Sequence, residues 1–412
     1  MKHCIACGKM LPSRSLFELT DAPASAQDIP DEIQVKTDRG VTLELHQCDQ
    51  CGLVQFDCEP VSYYKDVIRA GGFSTTMTEL RRTQYRHLIE TYHLEGKKFI
   101  EVGCGRGEFL NVLTEFPVQT YGMEHKADLV EMARAQGLNV WREFPDTADQ
   151  VFAEGKEGKF DVFLSFNFLE HQPYPEVMLQ AIYNNLSEDG MGLVTVPSLE
   201  YILDKGSYYE LIRDHIAYYS FGTLKSLLER NGFKVLEEER INRDTIAMIV
   251  QKMPRGAVED DGVRAVGEKA ESAAETGLET AGQDEKISVK PLTDGYDIVT
   301  AEIAAMLDEL QKSGKTLAIW GASHQGFTLA ATTQLKDHVE YIIDSAPFKQ
   351  GRFAPASHLP ILSPDDAVKN PVGAILIVAP GYTDEIAGII KERFGEQMDI
   401  RTLRTNHIEK LR

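Results

Sequence analysis

Residues 98–107 read K-F-I-E-V-G-C-G-R-G, and the reading of the whole chain turns on them. The apolar run Phe99, Ile100 and Val102 has the length of a buried strand. It enters Gly103, Gly105 and Gly107, after which Glu108, Phe109, Leu110, Val112 and Leu113 carry the spacing of a helix. A strand, a glycine turn and a helix let a ligand approach the backbone closely and meet a helix N-terminus. Glycine loops of this general kind also serve dinucleotides, so the neighbouring acids sharpen the reading. Glu101 lies at the strand end, and the next apolar run, residues 118–123, leads into Glu124. Glu124 falls about 20 residues after the loop, where a ribose hydroxyl pair is held in such folds. A nucleotide site of another kind, or a tight turn without a ligand, is the competing reading of the loop alone.

Around this unit, residues 97–252 alternate strand and helix patterns, which implies a mostly parallel sheet with helices on both faces. The expected strands are 97–102, 118–123, 138–141, 160–166, 190–196, 233–240 and 246–251. The fourth leads into Asn167, Phe168, Leu169, Glu170 and His171, at the carboxyl end of a central strand where open α/β sheets place their ligands. The last two are separated only by residues 242–245 and read as an antiparallel pair. The G-x-G-x-G spacing, with Asp161 and the segment from Asn167 to His171, resembles motifs I and IV of class I S-adenosylmethionine-dependent methyltransferases. The resemblance implies S-adenosyl-L-methionine as cofactor, with Glu101, Gly103, Gly105, Glu124, Asn167 and His171 around it.

At the N-terminal end, Cys4-x-x-Cys7 and Cys48-x-x-Cys51 are each followed by glycine, Gly8 and Gly52. That is the knuckle pattern of a zinc ribbon, and four thiolates make a closed, structural Zn²⁺ site. Between the pairs, residues 34–37 and 41–45 alternate like two strands about the turn Asp38-Arg39-Gly40. Cys58 is left over as an unpaired thiol. The chain has 412 residues, with 64 acidic against 43 basic side chains and a net charge of −21. Such a surface repels phosphate backbones and argues against nucleic acid as a partner. No basic segment with an apolar core opens the sequence and no apolar run reaches membrane-spanning length, so a cytoplasmic location and no membrane partner are expected. Residues 61–95 precede the first sheet strand and are expected to fold over the site, with Tyr64 as a substrate contact and a helix over residues 79–92.

Residues 254–292 are rich in Gly, Ala, Glu and Asp and poor in large apolar side chains, which reads as an acidic flexible linker. Beyond it, a helix over residues 296–312 leads to the strand 316–320, the turn G-A-S-H-Q-G at residues 321–326, and strands near 339–344 and 374–378. This is a second Rossmann-like unit. Its G-x-x-x-x-G turn lacks both the dinucleotide spacing and the P-loop lysine, so NAD is not expected there.

The connection over residues 197–220 contains I-R-D-H-I-A-Y-Y-S from Ile212 to Ser220. It lies where a lid over the methyl donor belongs, and His215 is the side chain suited to take a proton near neutral pH. Asp214 beside it is a candidate to orient the ring, and Tyr218 and Tyr219 are candidates to face a carbonyl or enolate oxygen. This lid is similar to the Y-H-E-H-x-S-Y-F-S of the zinc-ribbon-containing sugar C-methyltransferases. Their C-terminal signature is matched by Asp344, Pro347, Lys349, Gln350, Gly351, Arg352, Pro355, His358, Pro360 and Ile361. The resemblance implies a class I methyltransferase Rossmann-like core with an N-terminal zinc ribbon and a C-terminal second Rossmann-like domain. The expected bounds are 1–60, 61–253, 254–292 for the linker, and 293–412. It also implies a small-molecule substrate, a nucleotide-linked keto sugar, with His215 as general base and Lys349, Arg352 and His324 as contacts to the sugar nucleotide. Two departures bear on the acceptor: Ile212 stands where the family has tyrosine, and residues 69–75 lack the family's tyrosine-rich run. Methylation of oxygen or nitrogen on a small metabolite, and a non-catalytic homologue, are the alternatives. The oligomeric state is not legible.

Overall fold

The computed structural model describes residues 3–66, 74–255 and 286–411. The expectations for residues 69–73, and for 256–285 of the linker, lie outside the described residues.

Three sheets organise the chain. The first begins with β1 (Phe17–Ala22), β2 (Val41–Gln47) and β3 (Val54–Phe56), joined antiparallel. The expected hairpin about Asp38 does not form. Residues Gln34–Lys36 make a single 3₁₀ turn, because the Asp31 carboxylate accepts the amides of Ile33 and Gln34 and holds that segment tightly curved. The partner of β2 is instead β1, further up the chain.

Helix α1 (Thr75–Tyr92) starts where Ser74 accepts the amide of Met77. The second sheet then follows as β4 (Lys98–Val102), α2 (Glu108–Leu113), β5 (Gln119–Glu124), α3 (Ala127–Ala135), β6 (Val140–Arg142), β7 (Phe160–Phe166), α4 (Pro175–Asn185) and β8 (Leu186–Pro197). The lid carries α5 (Leu199–Lys205) and β9 (Ala217–Tyr218). The chain continues through α6 (Phe221–Arg230), β10 (Phe233–Ile241) and β11 (Thr245–Lys252). The strand order is β10-β11-β8-β7-β4-β5-β6. β4 pairs parallel with both β5 and β7, and β11 pairs antiparallel with both β8 and β10. The closing antiparallel pair is therefore as anticipated, and the sheet is the Rossmann-like sheet of a class I methyltransferase. Strand β9 leaves it and pairs with β3, so the lid belongs to the first sheet as much as to the second.

Helix α7 (Lys290–Lys312) opens the third unit six residues before the expected start. β12 (Leu317–Trp320), α8 (His324–Thr332), β13 (Val339–Ile343), β14 (Ile361–Leu362), α9 (Pro364–Lys369), β15 (Ala374–Ile377), α10 (Thr383–Phe394), β16 (Asp399–Leu403) and β17 (Ile408–Leu411) follow. Their order is β14-β13-β12-β15-β16-β17, parallel except for β17. One apolar core runs through β1 and β2, the lid residues Tyr208, Tyr209 and Leu211, helix α7 and β12. A second joins Cys4, Cys48, Cys51 and Leu53 to β7, β8 and α6. Neither core is confined to one sheet, and the lid is sandwiched among all three.

Candidate active site

The glycine turn forms as its sequence requires. Gly103, Gly105 and Gly107 have φ of +75°, +61° and +84°, a region that side chains with a Cβ adopt only with strain. A Cβ at Gly103 would lie 3.1 Å from the Phe168 ring, and one at Gly105 would lie 3.0 Å from Glu108 Oε2. Across the turn, Glu124 at the end of β5 accepts the Gly105 amide on Oε2 and the Lys126 amide on Oε1, both at 2.9 Å. Glu101 is fully buried beneath the turn. Val102, Gly103, Met123, Glu124, Phe144 and Phe168 border a narrow cleft.

These residues fit S-adenosylmethionine. A carboxylate oxygen has two lone pairs, so Glu124 can keep its amides and still accept the two ribose hydroxyls. Glu108 Oε2 is buried without a hydrogen-bond partner among the described residues, beside the bare face of Gly105, where a cofactor ammonium would find it.

Helix α1 adds a residue that the motifs do not reveal. Arg81 is buried, with its guanidinium carbon 3.5 Å from the Phe166 ring centroid and 4.5 Å from that of Phe109. Its signal was present in the sequence. Met77, Arg81, Tyr85 and Leu88 share one helical face, and an arginine on an apolar stripe requires a reason.

Just beyond β7, Asn167 adopts φ +47° and accepts from Thr195 Oγ1 at 3.0 Å, which ties the strand end to β8. The turn Leu169–His171 follows. His171 Nδ1 lies 2.7 Å from the backbone oxygen of Asp214, and the His171 and His215 rings meet edge to face at 4.7 Å. A carbonyl only accepts, so Nδ1 carries the proton and Nε2 has the lone pair. Burial pushes the His171 pKa down to about 4. Burial, and then the charges of His171 and His324, put His215 well below its ordinary value. The structure therefore unites two expected residues, one from the sheet and one from the lid, as a neutral imidazole pair.

Other expected contacts are corrected. Asp214 does not orient His215. Its carboxylate turns to the N-terminal segment, accepting Tyr63 Oη at 2.7 Å and the Ala26 amide at 2.9 Å. The Tyr218 hydroxyl is occupied within the lid, accepting the Ile212 amide at 2.8 Å and facing the Ile212 carbonyl at 3.2 Å. Burial raises its pKa well above the usual phenol range. Tyr219 packs in the core that holds Cys4 and Cys51. Tyr64 lies edge-on to Phe144, which borders the cofactor cleft.

A second narrow cleft lies where the lid, β1 and α8 meet, bordered by Ala22, Leu43, Ile212, Arg213, His324 and Phe327. His324 Nε2 is 3.1 Å from Glu210 Oε2 of the lid. Lys349 and Arg352 do not border it. Lys349 Nζ binds the Ala322 carbonyl at 2.8 Å and Asp344 Oδ2 at 3.2 Å, and Arg352 donates to the Ile29 carbonyl at 2.8 Å. Both cations brace loops. Asp344 also accepts the Ala322 amide at 3.0 Å, repeating in the third sheet the arrangement of Glu124 with Gly105. There, however, Lys349 neutralises the acid.

At the N-terminal end, Cys4 and Cys51 sulfurs are 3.5 Å apart, as are those of Cys7 and Cys48, and all four lie within 4.8 Å of one another. Gly8 and Gly52 adopt positive φ, and their amides bind the carbonyls of Cys4 and Cys48. Hydrogen bonding with Cys48 first, and burial, push the Cys4 thiol up, while bonding from Cys4 holds Cys48 down. Four sulfurs this close fit a tetrahedral cation.

The comparisons with known proteins decide the family. Residues 77–238 match the family described as "Methyltransferase domain", and residues 262–397 match the "C-methyltransferase C-terminal domain". The chain is an S-adenosylmethionine-dependent methyltransferase. The methyltransferase is 25% identical over 300 residues to the C-methyltransferase NovU of Streptomyces niveus, covering 72% of this chain and 70% of that protein. It is 31% identical over 99 residues to a ubiquinone biosynthesis O-methyltransferase of Nitrosococcus oceani, covering 24% of this chain and 42% of that one. A solved S-adenosylmethionine-dependent methyltransferase from Clostridium acetobutylicum overlaps 42% of this chain and 92% of its own at 13% identity, with a TM-score of 0.34. No helix among the described residues is long and apolar enough to cross a membrane.

Proposed function

We propose that the enzyme methylates a carbon next to the ketone of a small acceptor, a nucleotide-linked keto sugar, with His215 as the base that forms the enolate. The observation that carries this reading is the His171–His215 pair, at the junction of the cofactor turn and the lid. The match of residues 262–397 to the C-methyltransferase C-terminal family supports carbon as the methylated atom.

S-adenosylmethionine, when bound, supplies a methyl group to the carbanionic carbon and leaves as a neutral thioether. Gly103, Gly105 and Glu124 would hold it. His215, neutral in its ordinary state, accepts the proton as the C–H bond breaks, and the electron pair passes to the ketone oxygen. The proton leaves to solvent after the C–C bond forms. His171 holds the ring of His215 at the junction. Alignment and general-base action account for the rate, the latter contributing about 10²- to 10⁴-fold. His324 and Arg213 border the cleft proposed for the acceptor. Zn²⁺ at Cys4, Cys7, Cys48 and Cys51 would be structural, since four sulfur ligands leave no open position.

Hydrogen–deuterium exchange in heavy water tests the reading. Nucleotide-linked 4-keto sugars are offered with and without cofactor and read by mass spectrometry. Exchange beside the ketone, lost in His215→Ala, is the expected result. Cofactor binding with no exchange across the panel would reject it and favour heteroatom methylation, the reading that the O-methyltransferase match supports.

A further inference from the structure

The lid residue before the proposed base is bolted to the N-terminal unit. Asp214 is 2% exposed, and among the described residues no cation pairs with its carboxylate. Its two oxygens are instead satisfied by Tyr63 Oη at 2.7 Å and the Ala26 amide at 2.9 Å, from segments 151 and 188 residues away. The Tyr63 hydroxyl in turn lies 2.5 Å from Ser25 Oγ, on the same loop as Ala26. Arg213 adds donors to the carbonyls of Ala24 and Glu59. Residues 213 and 214 are thus tied by two side chains to the loop after β1 and to the segment after β3. The other face of Asp214 is its backbone oxygen, and that oxygen receives His171 Nδ1–H.

We infer that Tyr63 and Asp214 are positioning residues for the His171–His215 pair, acting from the N-terminal unit through the Asp214 carbonyl. The inference rests on the proposed role of His215, but its geometry does not. Fixing the backbone of residue 214 fixes the acceptor that selects the His171 tautomer, with the proton on Nδ1 and the lone pair on Nε2. Nε2 is then the acceptor nitrogen, 3.9 Å from Glu170 Oε1, and the His215 ring centroid lies 4.7 Å from that of His171. If the anchor is lost, the carbonyl can swing from Nδ1 and the ring is free to exchange its proton between nitrogens. The N-terminal unit then does more than fold: it sets the protonation pattern of an active-site histidine. The loop that supplies Ala26 also continues to Ile29 and Pro30, which bind Arg352 and the Phe353 amide of the third unit. The anchor therefore reaches all three parts of the molecule.

The test is ¹⁵N NMR of the imidazoles in the full, metal-loaded chain, comparing wild type with Tyr63→Phe and Asp214→Asn, together with steady-state turnover. Wild type should show His171 as the Nδ1–H tautomer. Tyr63→Phe, which removes one hydroxyl and leaves the ring in place, should broaden His171 into a mixture of tautomers. It should also lower kcat about ten- to a hundredfold with cofactor affinity unchanged, the size expected for misplacement of a reacting group. Asp214→Asn retains one acceptor oxygen and should lie between the two. A His171 spectrum identical to wild type in Tyr63→Phe would overturn the inference, whatever the turnover. Should neither variant yield folded protein, the wild-type spectrum still decides, because Nε2–H on His171 contradicts it outright. Absence of acceptor exchange in wild type would count against His215 as base while leaving the tautomer result standing.

Discussion

Glu124 is the side chain on which the cofactor reading is most exposed to test. Both of its oxygens face N–H donors, Gly105 on one and Lys126 on the other. In Glu124→Gln one of those positions becomes an NH₂ group in either amide orientation, so a donor opposes a donor and the isostere gains nothing by flipping. A ribose diol that donates two hydrogen bonds to a carboxylate loses both charge-assisted bonds in Glu124→Ala. Each such bond contributes about 1.5–3 kcal/mol, so the low end of the pair is about 3 kcal/mol. At 1.4 kcal/mol per tenfold, that is about a hundredfold in Kd. Isothermal titration with S-adenosylmethionine and S-adenosylhomocysteine measures it directly. The two halves of the cofactor separate the cause. Adenosine binding should weaken by the same factor, whereas methionine should lose only what the freed Gly105 amide costs the turn. A Kd within threefold of wild type for S-adenosylhomocysteine would refute the placement of the ribose. Equal losses for adenosine and methionine would show that the glutamate supports the loop and does not touch the ligand.

Three further outcomes are expected. Gly107→Ala places a Cβ 2.3 Å from Leu138 Cδ1 at φ +84°, so overpacking and left-handed strain together should cost about 2–4 kcal/mol, read as a lowered Tm in calorimetry. Cys4→Ser should release about one equivalent of zinc, measured by elemental analysis, and loosen the core that Cys4 shares with β7 and β8; full zinc retention would contradict a four-cysteine site. In the third unit, burial alone would raise the Asp399 carboxyl, but Arg401, Lys315 and Lys410 outweigh it and hold it well below the usual carboxylate range. A depressed folded pKa stabilises above the unfolded value and is lost as pH falls through the folded one. Acid unfolding below about pH 4 should therefore be shallower in Asp399→Asn than in wild type, and parallel curves would show that the cluster is not the acid-sensitive element.

What was legible in the sequence and what was not divide along the chain's own geometry. The glycine turn, Glu124, the cysteine knuckles and the positions of the strands follow from patterns a few residues long, where backbone conformation and side-chain spacing are set locally. The partner of β2 was missed because the pattern of residues 34–37 suits a strand until Asp31 caps it from outside the window. Lys349 and Arg352 have the charge and the loop position of phosphate contacts. Only the folded chain shows that Ala322, Asp344 and Ile29 already hold them. Asp214 is the sharpest case. An acid next to a histidine in sequence suggests a pair, but residues 212–215 form a turn, closed by the His215 amide on the Ile212 carbonyl at 3.0 Å, and the Asp214 carboxylate goes to Tyr63 and Ala26. The neighbour that meets His215 is therefore not residue 214 but His171, which the Asp214 carbonyl reaches. The segment that carries the proposed base is braced by contacts more than a hundred residues apart, through Tyr63 and Ala26. That is why replacing Ile212 by the family's tyrosine is not a self-contained change: its amide and carbonyl already engage Tyr218, and a new hydroxyl at that position would enter a lid whose shape the N-terminal unit determines.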